Sequence, residues 1–241
     1  MAGLDRPACL FRDAHMSEFA GHDLYCRRGE REVFARLAFT VGSGEALVLR
    51  GPNGSGKSSL LRCMAALLRP LGGAILWDGR RISDDPEAHR RRLHFLGHQD
   101  AIKPVLSVEE NLAFWSEIRG TDSHSPEAAA ELRAGALAQF AIEDLAKLPA
   151  RLLSAGQRRR LALARLVASP APLWLLDEPT AALDEPSVAR FETAVAAHRA
   201  RGGSVVLAAH GSLDLPDART LALSDFAPSA ERNPDADEPE S

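Results

Sequence analysis

Apolar residues recur along this chain in two different rhythms. Short unbroken runs, Ala46-Leu47-Val48-Leu49, Leu173-Trp174-Leu175-Leu176 and the stretch from Ser204 to Ala209, carry no polar alternation. Unbroken runs of this length suit strands covered on both faces of a parallel sheet. Ala74–Trp77 and Leu93–Gly97 are further strand signals, and a helical pattern from Pro186 to Arg201 separates two of the buried runs, as in a βαβ unit. From Ala20 to Val41, short apolar stretches flank the turn-like Arg27-Arg28-Gly29-Glu30, and Gly42-Ser43-Gly44 precedes the next strand, which predicts an antiparallel layer. Between about Asp100 and Leu153 the pattern turns helical with explicit starts: Ser107-Val108-Glu109-Glu110 is a capping box, and Ser125-Pro126 sets a cap residue before proline at the first helical position.

The predicted architecture is an α/β core with an antiparallel β layer and an inserted α-helical subdomain. The core occupies 17–99 and 154–226, and the helical block 100–153. Residues 1–16 show no clear period and read as a flexible extension, or as sequence ahead of a start at Met16. The tail 227–241, rich in Pro, Asp and Glu, is expected to be disordered. No internal repeat is evident.

Composition narrows the class. The 241 residues are 45% hydrophobic and 26% charged, enough for one sizeable core with a small subdomain. A formal net charge of −4 argues against a dedicated nucleic-acid binder. Arg158-Arg159-Arg160 is a local basic run that reads as a solvated helix face or as a polyanion contact. Cys9, Cys26 and Cys63 form no C-x-x-C pattern, and no secretory signal is apparent, so a reducing compartment is expected, with Cys63 a packing residue. No apolar stretch has the length of a membrane-spanning helix, so a membrane role would need a partner.

The chemistry concentrates in a few motifs. Gly51-Pro52-Asn53-Gly54-Ser55-Gly56-Lys57-Ser58, with Ser59 following, satisfies G-x-x-x-x-G-K-[ST] between a strand run and a helical pattern. In that context the glycines let backbone N–H groups converge on phosphate oxygens, Lys57 adds a positive charge near the β- and γ-phosphates, and the Ser58 hydroxyl can ligate Mg²⁺. A glycine-rich surface turn is the plainer reading, and the strand–loop–helix setting weighs against it. The run Leu173–Leu176 delivers Asp177 and Glu178 at a strand's C-terminal end, where open parallel sheets bind ligands. Asp177 is the candidate Mg²⁺ carboxylate and Glu178 the candidate general base, although Asp-Glu-Pro could also simply enter a turn. Leu153-Ser154-Ala155-Gly156-Gln157 fits a capping box from Ser154 to Gln157, and the same exposed helix start, with small residues at 155 and 156, is a possible anion site.

Taken together in this order, with Gln99 after a strand, Ala182-Leu183-Asp184 and His210, the motifs resemble those of the nucleotide-binding subunits of ABC transporters, from about Ser17 to Phe226. The resemblance implies a P-loop NTPase fold and ATP hydrolysis with Mg²⁺ held by Ser58 and Asp177, while Gln99 would contact Mg²⁺ or the attacking water and sense the membrane partner. It implies a head-to-tail homodimer in which Ser154, Ala155, Gly156 and Gln157 of one copy meet the nucleotide held by the other. Asp184 would line the dimer interface and His210 would bond the γ-phosphate. Ala155 departs from the family's usual glycine, and Arg28 stands where many relatives place an adenine-stacking aromatic, with Tyr25 a substitute if the register is shifted. A guanidinium can also stack on a base, so binding should persist with less certain purine selectivity.

Further segments, Leu24–Arg31, Gly97–Lys103, Glu110–Trp115 and Leu153–Leu166, resemble one branch, the ATP-binding subunits of bacterial cytochrome c maturation systems. That branch implies integral membrane permease partners, an indirect link to a periplasmic haem chaperone, and a place on the cytoplasmic face of the inner membrane. It implies haem export or release of the loaded chaperone. His98 and Cys26 offer no paired axial-ligand spacing, so haem is not placed on this chain. An ATPase subunit serving another solute is the alternative.

Overall fold

The computed structural model describes residues 18–120, 125–209 and 213–227. Residues 1–17 and 228–241, which hold the expected extension and nearly all of the acidic tail, lie outside the described residues, as does His210.

The longest strands form the antiparallel layer. β1 (Glu18–Arg28) and β2 (Arg31–Gly42) make a hairpin whose turn needs Gly29 at φ 61°. β4 (Gly72–Trp77) pairs antiparallel with β1, and the short β5 (Arg80–Arg81) closes a sheet of order β2-β1-β4-β5. The second sheet comprises β3 (Ala46–Arg50), β6 (Leu93–Leu96), β7 (Leu173–Asp177), β8 (Ser204–Ala208) and β9 (Arg219–Ala222). It is parallel throughout, in the order β6-β7-β8-β3-β9.

Alternate residues of the parallel strands feed two separate cores. Leu47, Leu49, Leu173, Leu175 and Val206 face the antiparallel sheet, with α1 (Lys57–Met64) packed between through Leu60, Leu61 and Met64. Val48, Trp174, Leu176, Val205 and Leu207 face the other way, toward helices. Both faces are therefore apolar, which is why these strands read as unbroken hydrophobic runs. Each leucine so buried stabilises by about 2 kcal/mol relative to exposure, and β7, buried at all five residues, is held firmly where it ends at Asp177.

The helical side of the molecule holds α3 (Val108–Ile118), α4 (Pro126–Gln139), α5 (Ala155–Ala168) and α6 (Glu185–Ala200). The Ser107 capping box is complete, and Ser125 accepts from Ala128 N at the start of α4. Buried Asn111 bonds the backbone of Lys103, Leu106 and Ser107, fixing the loop that enters the block. One helix has no counterpart in the sequence reading: α2 (Pro86–Arg91), whose buried His89 bonds Met64 O at 2.8 Å and stacks on Phe19.

Candidate active site

The phosphate loop leaves β3 and turns directly into α1. Gly51, Gly54 and Gly56 take φ of 149°, 80° and 104°, which a residue with a β-carbon adopts only under strain. A β-carbon at Gly56 would also sit 2.4 Å from Val33 Cγ1. Gly56 is the cap residue of α1 and offers no side chain to it, so the first-turn N–H groups keep their bonding capacity for a ligand. Lys57, 6% exposed, curls back to donate to Gly51 O at 2.7 Å and Pro52 O at 3.0 Å, placing its charge beside the loop. Ser55 Oγ is buried with no hydrogen-bond partner. An orphaned hydroxyl, free helix amides and a lysine ammonium around one loop fit a polyphosphate.

The loop and the start of α1 border a cleft of about 400 Å³. Asn53, Gly54, Gly56, Lys57, Ser58 and Ser59 form one wall, Arg28, Arg31 and Val33 of the β1–β2 hairpin another, and Glu178 closes a third side. Arg28 lines this cleft. Tyr25 is not among the lining residues; its hydroxyl bonds the Glu32 carboxylate instead. Neither Arg31 nor Val33 was singled out as a site residue: Val33 belongs to no motif, Arg31 only ends the Leu24–Arg31 segment, and the hairpin's reach brings both to the loop.

Asp177, 6% exposed, ends β7, and Glu178 follows with φ 51° and its amide donating to Ala208 O at 2.9 Å. Leu96 of β6 pairs with Leu176 of β7, so the exposed Gln99 leaves the sheet at the same edge as the two carboxylates, though it does not line the cleft.

The capping box at Ser154 is formed in full: Ser154 Oγ accepts from Gln157 N at 3.2 Å, and Gln157 Oε1 accepts from Ser154 N at 2.8 Å. None of residues 154–157 touches the cleft, so one chain does not bring this helix start and its own phosphate loop together. Gly156 faces Ala182 O, which a β-carbon would meet at 3.0 Å. Asp184 caps α6 through Ser187 N at 3.1 Å, and the hydroxyl and amide of Ser187 hold its carboxyl below the usual range.

The arginine run is not uniform. Arg158 and Arg160 are half-buried, Arg158 donating to Leu153 O at 2.7 Å and Arg160 to Phe140 O and Ala141 O. Arg159 departs from the expected solvated face: it is buried and ion-paired to Asp100 at 2.6 Å. All three guanidiniums donate to backbone carbonyls. Cys63 packs as expected, with burial pushing its thiol up to about 12.

A family model described as ABC transporter matches residues 34–181, which span most of β2, the phosphate loop, the helical block and both carboxylates. The chain belongs to the ABC transporter family. Within it, this ABC ATPase is 54% identical over 215 residues to the cytochrome c biogenesis ATP-binding export protein CcmA of Rhodospirillum rubrum, covering 89% of each chain. It is 53% identical over 211 residues to the protein of that name from Paramagnetospirillum magneticum, covering 88% of this chain and 96% of the relative. Among solved structures, a putative ABC transporter ATP-binding protein of Pyrococcus furiosus is similar with a TM-score of 0.75 at 25% identity, covering 88% of this chain and all of that one. As a member of this family the chain binds and hydrolyses ATP, as the ATPase subunit of a transporter with membrane subunits. Among the described residues, no helix is long and apolar enough to cross a membrane.

Proposed function

We propose that this ABC ATPase powers the membrane complex of cytochrome c maturation, driving haem export or release of a haem-loaded periplasmic chaperone from the cytoplasmic face of the inner membrane. The names of its relatives support the pathway, and the split arrangement of its motifs supports the engine. The observation that carries the reading is the cleft in which a polyphosphate cradle and Glu178 meet, with the Ser154 helix start turned elsewhere on the same chain.

In this reading two copies stand head to tail. Gly51–Ser58 and Ser59 of one copy hold the phosphates, Arg28 stacks on the base, and Ser154, Ala155, Gly156 and Gln157 of the other close the site, with Asp184 at the interface and His210 bonding the γ-phosphate. Glu178 takes the proton of the attacking water as the bond to the γ-phosphorus forms and ADP leaves. The Ser58 hydroxyl, Asp177 and Gln99 are hard oxygen donors of the kind Mg²⁺ accepts. When bound, the ion would neutralise charge building on the phosphate oxygens. The helical block, 100–153, passes the closing and reopening of the pair to the permease subunits.

Complementing a gene deletion with Glu178→Gln tests the assignment through holo-cytochrome c and haem-loaded chaperone. Loss of holo-cytochrome c with ATP binding retained is the expected result. Unchanged cytochrome assembly would reject the pathway and favour another solute.

A further inference from the structure

Arg159 sits on the exit side of the Ser154 cap, yet its guanidinium ends beneath the C-terminal edge of β7. Nε donates to Pro179 O at 2.9 Å, and Nη2 donates to Asp177 O at 3.0 Å and Glu178 O at 2.6 Å. Nη1 donates to Asp100 Oδ1 at 2.6 Å, and the whole side chain is 6% exposed. Three successive carbonyls thus converge on one planar cation. Arginine suits this because its donors lie in a rigid fork, where a lysine ammonium presents a single point.

The central carbonyl of the three belongs to Glu178, whose φ of 51° lies in the left-handed region. A residue with a β-carbon stays there only if its surroundings hold it. Among its holds, the Glu178 amide bonds Ala208 O, its carbonyl also accepts from Ala181 N at 3.1 Å, and Arg159 fixes the same carbonyl together with those on either side. The direction of that peptide plane sets where the Glu178 side chain leaves the backbone, toward the cleft that holds Lys57 and Ser58. The fourth partner, Asp100, follows Gln99 in the loop that enters the helical block and is 24% exposed, so one end of the guanidinium is anchored to a segment that a shift of the block would move.

We propose that Arg159 is a positioning residue that keeps Glu178 in its hydrolytic backbone conformation, and that Asp100 links this hold to the loop carrying Gln99. A displaced helical block then slackens Arg159 and turns Glu178 away without altering the phosphate cradle. The inference rests on Glu178 serving as the base.

The test compares wild type, Arg159→Met, Arg159→Lys, Asp100→Asn, Glu178→Gln and the Arg159→Met/Glu178→Gln double variant, each assembled with its membrane subunits. Arg159→Met is expected to lower kcat about 30-fold or more with KM for ATP and the affinity for a fluorescent ATP analogue within about threefold. Arg159→Lys, able to serve fewer of the four acceptors, falls between it and wild type. In the Glu178→Gln background the same methionine should lower the residual rate by less than about twofold, because its effect passes through the carboxylate already removed. A merely structural arginine would instead reduce both backgrounds alike and weaken nucleotide binding in step, and that result overturns the proposal. So does an unchanged kcat in Arg159→Met. Should the methionine variant fail to fold, Asp100→Asn in the two backgrounds decides: a loss confined to the Glu178 background supports the link, and an equal loss in both refutes it. Normal turnover by Glu178→Gln overturns the base assignment itself, and with it this inference.

Discussion

Acidification should destabilise this protein through a histidine that never touches the active site. His198, on α6, is 1% exposed, stacked on Trp174 of β7 at 3.9 Å between ring centroids, and burial lowers its pKa from 6.5 to about 3. The fold therefore favours the neutral ring. Its contribution is complete above the unfolded pKa of about 6.5 and is lost as the pH falls from there toward 3. Between those limits each pH unit costs about 1.4 kcal/mol, so at pH 5 the loss from this one ring is about 2 kcal/mol. Burial lowers His89 and His94 as well, and both act in the same direction. His198→Phe keeps an aromatic ring against Trp174 and removes the titration. Urea unfolding followed by tryptophan fluorescence at pH 8 and pH 5 should show wild type losing about 2 kcal/mol more than the variant over that interval. Equal losses in the two proteins would show that folding does not lower the His198 pKa, and a greater loss in the variant would mean the ring is charged in the fold. The strand that His198 supports is the one delivering Asp177, so nucleotide turnover should fade over the same pH range.

Other consequences of the structure are open to direct measurement. Gly56→Ala forces a β-carbon into φ 104° and to 2.4 Å from Val33, and isothermal titration should show ATP binding weakened about tenfold or more. Lys57→Ala removes the ammonium beside the loop and should weaken ATP binding by a similar factor while leaving the unfolding free energy within about 1 kcal/mol of wild type; undiminished affinity in the same titration would contradict the cradle. Cys26 and Cys63 are buried, and with Cys63 pushed up to about 12 a Cys9→Ser protein should react with a thiol reagent at pH 8 only as fast as it unfolds. Ser107→Ala breaks the capping box of α3 and should cost about 1 kcal/mol in urea unfolding.

The parts of the fold that could be read in advance are those where local chemistry leaves one solution. Gly51, Gly54 and Gly56 occupy backbone conformations that disfavour other residues, and β3, β7 and β8 show their burial on both faces as unbroken apolar runs. The caps at Ser107, Ser125 and Ser154 were legible because each side chain satisfies amides three residues away. Tertiary placement was not legible. α2 is a six-residue helix without an apolar stripe, held by the reach of His89 to Met64 O, and β9 is an edge strand made of exposed and half-buried residues. At the site, Lys57, Arg28 and Glu178 were named and share one cleft, whereas Arg31 arrives through the length of a hairpin. Arg159 was read as surface because three adjacent arginines look alike in sequence; only the approach of β7 and the Asp100 loop to one side of α5 separates the buried one from its neighbours.

Each ATP site should be completed by a second copy of the chain. Ala155 is exposed at the first position of α5, whose first turn carries no acidic residue, so Ala155→Asp suits the helix while placing a negative charge where the opposing phosphate should dock. Paired with Lys57→Ala in a mixed assembly, it leaves one site of the heterodimer intact and none in either parent. Steady-state ATP hydrolysis by the co-assembled variants with their membrane subunits should therefore rise well above both parents, toward about a quarter of wild type for random pairing. A mixture no more active than its parents despite demonstrated heterodimers, or full activity in Ala155→Asp alone, would contradict the shared site.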